Sequence, residues 1–363
     1  MKIGILTYHH ALNYGAVLQC YALIKQLRIM GYAPIVINLY RRPNILFSTL
    51  GKIKRLLNGQ TICLQPGWSE FRKHADKLLL PKTKYLSPST VYNFDFSSFD
   101  AIIVGSDQIW RDSEKSLGNG FFLDFLRSNL KTKRISYAAS FGKNTWEDEC
   151  KRTKKVAELL SLFDHVSVRE KSGVCICKNI FNIDAKQVLD PTLLLEQKVY
   201  NELIFNIKSD INQEYVISYY LGENCENNVD FTRRWSHELG YKYKDLYTIG
   251  KYDDKSNPGL HVTPEEWLVS IAKAKYVITN SFHATVFSIL FHKQFLVVDL
   301  PSGGSTRLHN LLDSLGLSER FIKSIDDISI EKINKPILYD RVDGVLDTSR
   351  KHSINFLHQA LKV

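Results

Sequence analysis

The chain has 363 residues, of which 44% are hydrophobic and 24% charged, a composition that suits a globular protein with a sizeable core and excludes intrinsic disorder. That length exceeds most single cores and fits two domains of roughly 150 to 200 residues with a cleft between them. A formal charge of +10 favours an anionic partner, whether a phosphorylated metabolite, a nucleic acid or an anionic membrane surface.

Other patterns narrow the choice. No apolar run approaches the ~20 residues that span a bilayer, and the opening stretch MKIGILTYHHALNYG enters a strand pattern without a signal-peptide layout, so a cytoplasmic protein is expected. Cys20, Cys63, Cys150, Cys175, Cys177 and Cys225 are scattered, and no second pair joins Cys175 and Cys177 to complete a zinc site. Reduced thiols and no metal are the expectation. The basic residues are spread through the chain with no zinc finger, RNP-like aromatic pair or GxxG clamp, which argues against nucleic acid.

In chain order, KIGIL (residues 2–6) reads as a buried strand. The next segment carries Val17, Leu18, Tyr21, Ala22, Ile24 and Leu27 at helical spacing and stops at Gly31, and PIVINL (34–39) is a second strand, together a βαβ unit. Residues 41–60 interrupt this alternation. There Leu46, Leu50, Ile53 and Leu57 share one helical face while Arg41, Arg42, Lys52, Lys54 and Arg55 add charge, a basic amphipathic helix that packs on its own domain or rests on an anionic membrane interface. DAIIVGSD (100–107) and RISYAASFG (134–142) are further strands opening into polar loops. TWEDECKRTKKVAELLSLF is an amphipathic helix, DHVSVRE a short strand, and KQVLDPTLLL (186–195) a strand with a proline-terminated exit. The boundary of a first domain, 1–195, falls after it.

The second half repeats the style with EYVISYYL, a helix from about Val229 to Leu239, and YKDLYTI. A helix opens at TPEEWLVSIAKA, where Thr263, Pro264 and Glu266 form an N-cap, first-turn proline and capping-box glutamate. YVITN, a helix carrying His283, FLVVDL and TRLHNLLDSLGL follow. Two α/β domains in series result, and neither shows a GxGxxG fingerprint or a P-loop.

Ligands of open α/β sheets settle beyond the carboxyl ends of the strands, where helix N-termini offer donors to anions. His283, in VITNSFHATVFSILF (277–291), stands at such a joint, at the edge of the stripe Phe282, Val286, Ile289 and Leu290 and beside the small polar residues Asn280, Ser281 and Thr285. The bland alternative is a structural histidine bonded to backbone; the functional one is an acid, since a bound dianion favours the protonated ring. Arg169 in HVSVREKSG and Arg307 in GGSTRLHNLL each open a helix, where an arginine can clamp carboxylate or phosphate in bidentate fashion. At the first joint Asn13 precedes Gly15, which permits close backbone approach. Gly105, Ser106 and Asp107 form either a cleft loop or an ordinary helix cap, and Ser140 ends the neighbouring strand.

Taken in order, GILTYHHALNYGAVLQCYAL, FDAIIVGSDQIW, ISYAASFG, VSVREKSG, VLDPTLLL, YVITNSFHATVFSILF and RLHNLLDSLGL resemble the polysaccharide pyruvyl transferase family across nearly the whole chain. The resemblance implies a GT-B-like fold, two Rossmann-like domains facing across a cleft: 1–195, 196–345 with His283, and a C-terminal helix at 346–363 returning to the first domain. It implies transfer of a pyruvyl group from phosphoenolpyruvate, as co-substrate with no further cofactor, to two hydroxyls of a sugar. That acceptor is expected on a polyprenyl diphosphate carrier, with the enzyme in the cytoplasm or peripheral on the inner membrane face. His283 takes the place of the family's catalytic histidine and Arg169 that of its anion-binding arginine. Donor binding falls to Arg169, Arg307, Ser281 and Asn280, and the acceptor cleft to Asn13, Gly15, Gly105, Ser106, Asp107 and Ser140. Two departures stand out: Ser281 where the family often has arginine, with Arg307 as a replacement, and Ala284 after the histidine. The rival readings are a nucleotide-sugar glycosyltransferase on the same scaffold and a non-catalytic glycan-binding protein, with a surface histidine such as His352 as the control for His283.

Overall fold

The computed structural model describes residues 1–41, 68–111, 117–126, 131–147, 150–207, 213–222, 225–246, 262–299 and 305–362. The basic helix expected at 41–60 lies outside these residues apart from Arg41. Strand β1 (Lys2–Leu6) leads into α1 (Tyr14–Ile29), which starts where Asn13 Oδ1 accepts the Ala16 N–H at 3.1 Å. β2 (Ala33–Val36), α2 (Trp68–Leu78), β3 (Ala101–Val104), β4 (Lys133–Ala139), α3 (Cys150–Leu160), β5 (His165–Val168), α4 (Lys171–Phe181) and β6 (Lys186–Gln187) complete the first half. Among the described residues its strands form one parallel sheet in the order β2-β1-β3-β4-β5-β6.

After α5 (Gln197–Ile204) come β7 (Tyr215–Tyr219), α6 (Glu226–Glu238), β8 (Lys242–Asp245) and α7 (Pro264–Lys273), whose start is the capping box of Thr263 and Glu266. β9 (Tyr276–Thr279), α8 (Phe282–Leu290), β10 (Gln294–Val298), α9 (Thr306–Ser314), β11 (Phe321–Ile322), α10 (Ile330–Asn334) and α11 (Tyr339–Leu361) follow. The second sheet, also parallel, runs β8-β7-β9-β10-β11. Each sheet therefore places its first strand beside its third, and that pair, β1/β3 or β7/β9, is where the chain reverses direction and a crevice opens at the carboxyl ends.

Two expectations are corrected. The strand at 186–195 shrinks to Lys186–Gln187, because Asp190 caps a 3₁₀ turn at Pro191–Leu193 and turns the chain away. The C-terminal helix starts at Tyr339 rather than after 345, so that boundary cuts a continuous helix: Val342, Leu346, Ser353, Phe356, Leu357 and Ala360 stay buried at helical spacing straight through Gly344. This helix lies on the first half, with Ser353 Oγ accepting the Leu189 N–H at 3.0 Å and Arg350 Nε donating to Leu193 O at 2.9 Å. Each half keeps an apolar cluster of its own, around Ile102 and Trp110 in the first and Val216 and Ile278 in the second, and a third cluster is shared between them. Val17, Leu18 and Tyr21 of α1 belong to one apolar cluster with Tyr200, Trp267 and Phe287, and Tyr14 stacks on Trp267 at 5.1 Å, a pairing worth about 0.5–1.5 kcal/mol beyond its buried area. Among the described residues no helix is long and apolar enough to cross a membrane.

Candidate active site

The two chain-reversal points meet at His283. Its ring lies against the second residue of α1: a Cβ on Gly15 would sit 2.0 Å from His283 Nδ1, so only glycine admits the imidazole there. All of α8 is buried, His283 included at 7% exposure, which corrects its expected place at the edge of an apolar stripe. The helix packs on β9 and β10 of its own sheet and on α1 and the Pro191–Leu193 turn of the first half, and has no solvent face.

Facing the ring is a residue the motif reading passed over. Asp190 is 1% exposed, and its Oδ2 accepts from Arg169 Nη1 at 2.6 Å and from Ser106 Oγ at 2.9 Å. Oδ1 accepts from the Thr192 N–H at 3.0 Å and from Thr192 Oγ1 at 2.6 Å. His283 Nε2 stands 3.7 Å from Oδ2, too far for a hydrogen bond and near enough for charge to matter. Burial alone would raise this carboxyl; His283, the Arg169 guanidinium and the Thr192 donors outweigh it and hold Asp190 well below the usual carboxylate range. The signal that could have revealed it was an aspartate before proline at a strand exit, which caps a turn and brings a charge inside.

Arg169 is buried as well, and its Nε donates to Glu170 Oε1 at 3.1 Å. With Nε and one N–H of Nη1 held by carboxylates, Nη2 is the guanidinium nitrogen left without a partner among the described residues, and it is buried, so the edge that would clamp an anion through Nε is already taken. Burial opposes its charge, and Glu170, Asp190 and Asp107 more than restore it, raising the guanidinium above its ordinary value. Arg307 joins from α9. Both guanidiniums lie over the Phe282 ring, Arg169 at 4.5 Å and Arg307 at 5.9 Å. Arg307 Nε is buried and unpartnered among the described residues, and burial together with Arg169 pushes this side chain down to about 10.

A cavity of about 410 Å³ reaches Arg169, Asp190, Phe282 and Arg307. His283 is outside its lining, whereas His352 of α11 is part of it, so His352 is no neutral control.

The remaining sequence candidates have structural duties. Asn280 grips Leu221 with both ends of its amide, at 2.7 and 3.0 Å, tying β9 to β7. Ser281 caps α8 by accepting the Ala284 N–H at 3.4 Å. Ser140 is fully buried and holds the Gly142 N–H at 3.0 Å. Among the described residues no helix follows Gly105, Ser106 and Asp107, and 108–111 form a turn, so the cap reading is not what the structure shows: Gly105, at φ 117°, has Tyr137 O where a Cβ would be, and this turn delivers Ser106 to Asp190. Among the described residues no three His, Cys, Asp or Glu side chains stand close enough to hold a metal ion.

Two Rossmann-like halves closing over a buried cluster of guanidinium, carboxylate and imidazole define a GT-B-like scaffold, and solved structures agree. The UDP-GlcNAc 2-epimerase of Neisseria meningitidis bound to UDP-GlcNAc is similar with a TM-score of 0.52 at 11% identity, over 99% of this chain and 100% of that one. The Methanocaldococcus jannaschii UDP-GlcNAc 2-epimerase in complex with UDP-GlcNAc and UDP gives 0.52 at 14% identity, again over 99% and 100%. The wall teichoic acid polymerase TagF gives 0.50 at 11%, over 99% and 88%. At such identities only the fold is shared. No curated protein matches the chain by sequence. The family model of polysaccharide pyruvyl transferase matches residues 13–302, and the chain belongs to that family of pyruvyl transferases.

Proposed function

We propose that this enzyme transfers the enolpyruvyl group of phosphoenolpyruvate to two hydroxyls of a sugar, forming a cyclic pyruvate ketal and releasing phosphate, with the sugar carried on a polyprenyl diphosphate. One observation supports the donor most: Arg169 Nη2, Arg307 Nε and His283 Nε2 are buried nitrogens without protein partners among the described residues, gathered around Asp190 and Phe282. Buried donors without partners are rare and point to a ligand, and here the ligand is an anion.

Arg169 and Arg307 hold the carboxylate and phosphate of the donor. His283 gives its proton to the methylene carbon, the electron pair of the C=C bond takes it, and C2 becomes electrophilic. One sugar hydroxyl adds to C2 and returns its proton to His283. Phosphate then leaves with its bonding pair, stabilised by the guanidiniums, and the second hydroxyl closes the ring and gives its proton to the departing phosphate. General acid catalysis contributes typically ~10²- to 10⁴-fold, the remainder coming from positioning and from preorganised charge. Asp190 is a positioning residue, fixing Arg169 and giving the imidazolium a negative neighbour. The scheme gives no step to a metal or an organic cofactor.

The test is phosphate release from phosphoenolpyruvate with lipid-linked galactose, mannose and hexosamine acceptors. Release that depends on acceptor and disappears in His283→Ala supports the reading. Failure to bind phosphoenolpyruvate, with no release for any acceptor, removes it in favour of a nucleotide-sugar transferase or a glycan-binding protein.

A further inference from the structure

A second cavity, of about 470 Å³, opens at the carboxyl ends of β1 and β2 and is lined by His9, His10, Tyr40, Arg72, Asp76 and Lys82. Nothing in the donor site uses it. It nevertheless adjoins that site through the loop between β1 and α1: Thr7 Oγ1 donates to Ser106 O at 2.9 Å and accepts from Gln19 Nε2 at 2.9 Å, and the same loop ends at the Asn13 cap two residues before Gly15.

Its lining has three parts of different character. His9 is a fixed wall, with Nδ1 on Thr7 O at 3.1 Å and Nε2 on the Asn38 side chain at 3.0 Å. His10 stacks on Tyr40 at 4.8 Å and 17°, and its Nδ1 is buried without a partner among the described residues. Arg72 donates from Nη2 to the His10 carbonyl and, among the described residues, pairs with no carboxylate. Lys82 pairs with Asp76 at 2.5 Å, so the lining keeps one uncompensated positive charge. Burial, then His9 and Arg72, push His10 down to about 4, which leaves a neutral ring that can donate or accept. A flat aromatic pair suits the apolar face of a sugar ring, and an uncompensated guanidinium suits phosphate.

We infer that this cavity binds a phosphate-bearing sugar, with the phosphate on Arg72 and the sugar against Tyr40 and His10. The inference rests on the transferase reading above and names the class of its acceptor. The shared chemistry, a sugar diphosphate, can come from a lipid carrier or from a nucleotide.

The experiment is isothermal titration of the full chain, with and without saturating phosphoenolpyruvate, using three probes: inorganic pyrophosphate, a short-chain prenyl diphosphate sugar and a nucleotide diphosphate sugar. Arg72→Gln should weaken pyrophosphate at least ~10-fold through the lost charge-assisted bonds while leaving phosphoenolpyruvate affinity unchanged. Tyr40→Ala should weaken the sugar diphosphates and spare pyrophosphate. Tighter binding of the prenyl probe supports the inference with a lipid-carried acceptor, and tighter binding of the nucleotide probe supports it with a soluble one. Pyrophosphate affinity unchanged in Arg72→Gln, at an unchanged melting temperature, overturns the inference and leaves the donor site standing. Pyrophosphate that binds through Arg72 in a protein with no affinity for phosphoenolpyruvate would instead sink the transferase reading.

Discussion

The two sheets share a strand order but not a chemistry. At the carboxyl end of the first, Thr7, Ser106, Arg169 and Asp190 are buried and bonded to one another or to neighbouring backbone and side chains. At the corresponding point of the second stands α8, apolar in most positions, with one titratable ring aimed across the divide. The difference teaches a division of labour. The first half holds an ordered network of charge around Asp190, the second brings a buried imidazole and Arg307 to it, and α1 seats that imidazole through Gly15.

Removing that seat should have the largest effect. Gly15→Ala would displace the imidazole, since its Cβ would lie 2.0 Å from Nδ1, and phosphate release should fall about as far as in His283→Ala, ~10²- to 10⁴-fold. A normal rate in the alanine variant would show that the ring works without its seat on α1. Next in size is Asp190→Asn, which leaves the buried Arg169 with Glu170 as its remaining carboxylate and should cost at most about 3–5 kcal/mol in denaturant unfolding, the scale of a broken buried pair. The pH dependence has a definite sign. The folded-state carboxyl is depressed, so its stabilisation is present above the unfolded value near ~3.9 and is lost as pH falls from there toward the folded one. Acid unfolding of the wild type should therefore be steeper below about pH 4 than that of the asparagine variant.

Smaller effects sharpen the division within the donor site. Arg307→Ala should weaken phosphoenolpyruvate binding roughly 10- to 100-fold, the scale of a hydrogen bond to a charged group. The mildest change is His352→Ala, on the cavity wall: a KM rise of less than about tenfold with kcat intact, against no change in His358→Ala on the exposed side of α11.

Much of this was readable residue by residue. The βαβ alternation, the Thr263–Glu266 capping box and the placing of His283, Arg169 and Arg307 at strand-to-helix joints all follow from local periodicity and cap chemistry. Local rules failed where a partner came from far along the chain. His283 was expected at an edge because α8 carries small polar residues, but Gly15, 268 positions away, covers it. Asn280 and Ser281 were assigned to the donor because amides and hydroxyls bind anions, yet backbone groups of Leu221 and Ala284 claim them first.

The amino-acid sequence by itself determined the two parallel α/β halves and the residue types available at their joints, because hydrophobic periodicity and caps act within a few residues. Only the tertiary structure decided that Asp190 would order the site, that carboxylates would take Nε and Nη1 of Arg169 and leave Nη2 without a partner among the described residues, and that His283 would be seated on α1. Those outcomes depend on which distant groups are brought together out of water, where an unpaired charge is too costly to leave alone.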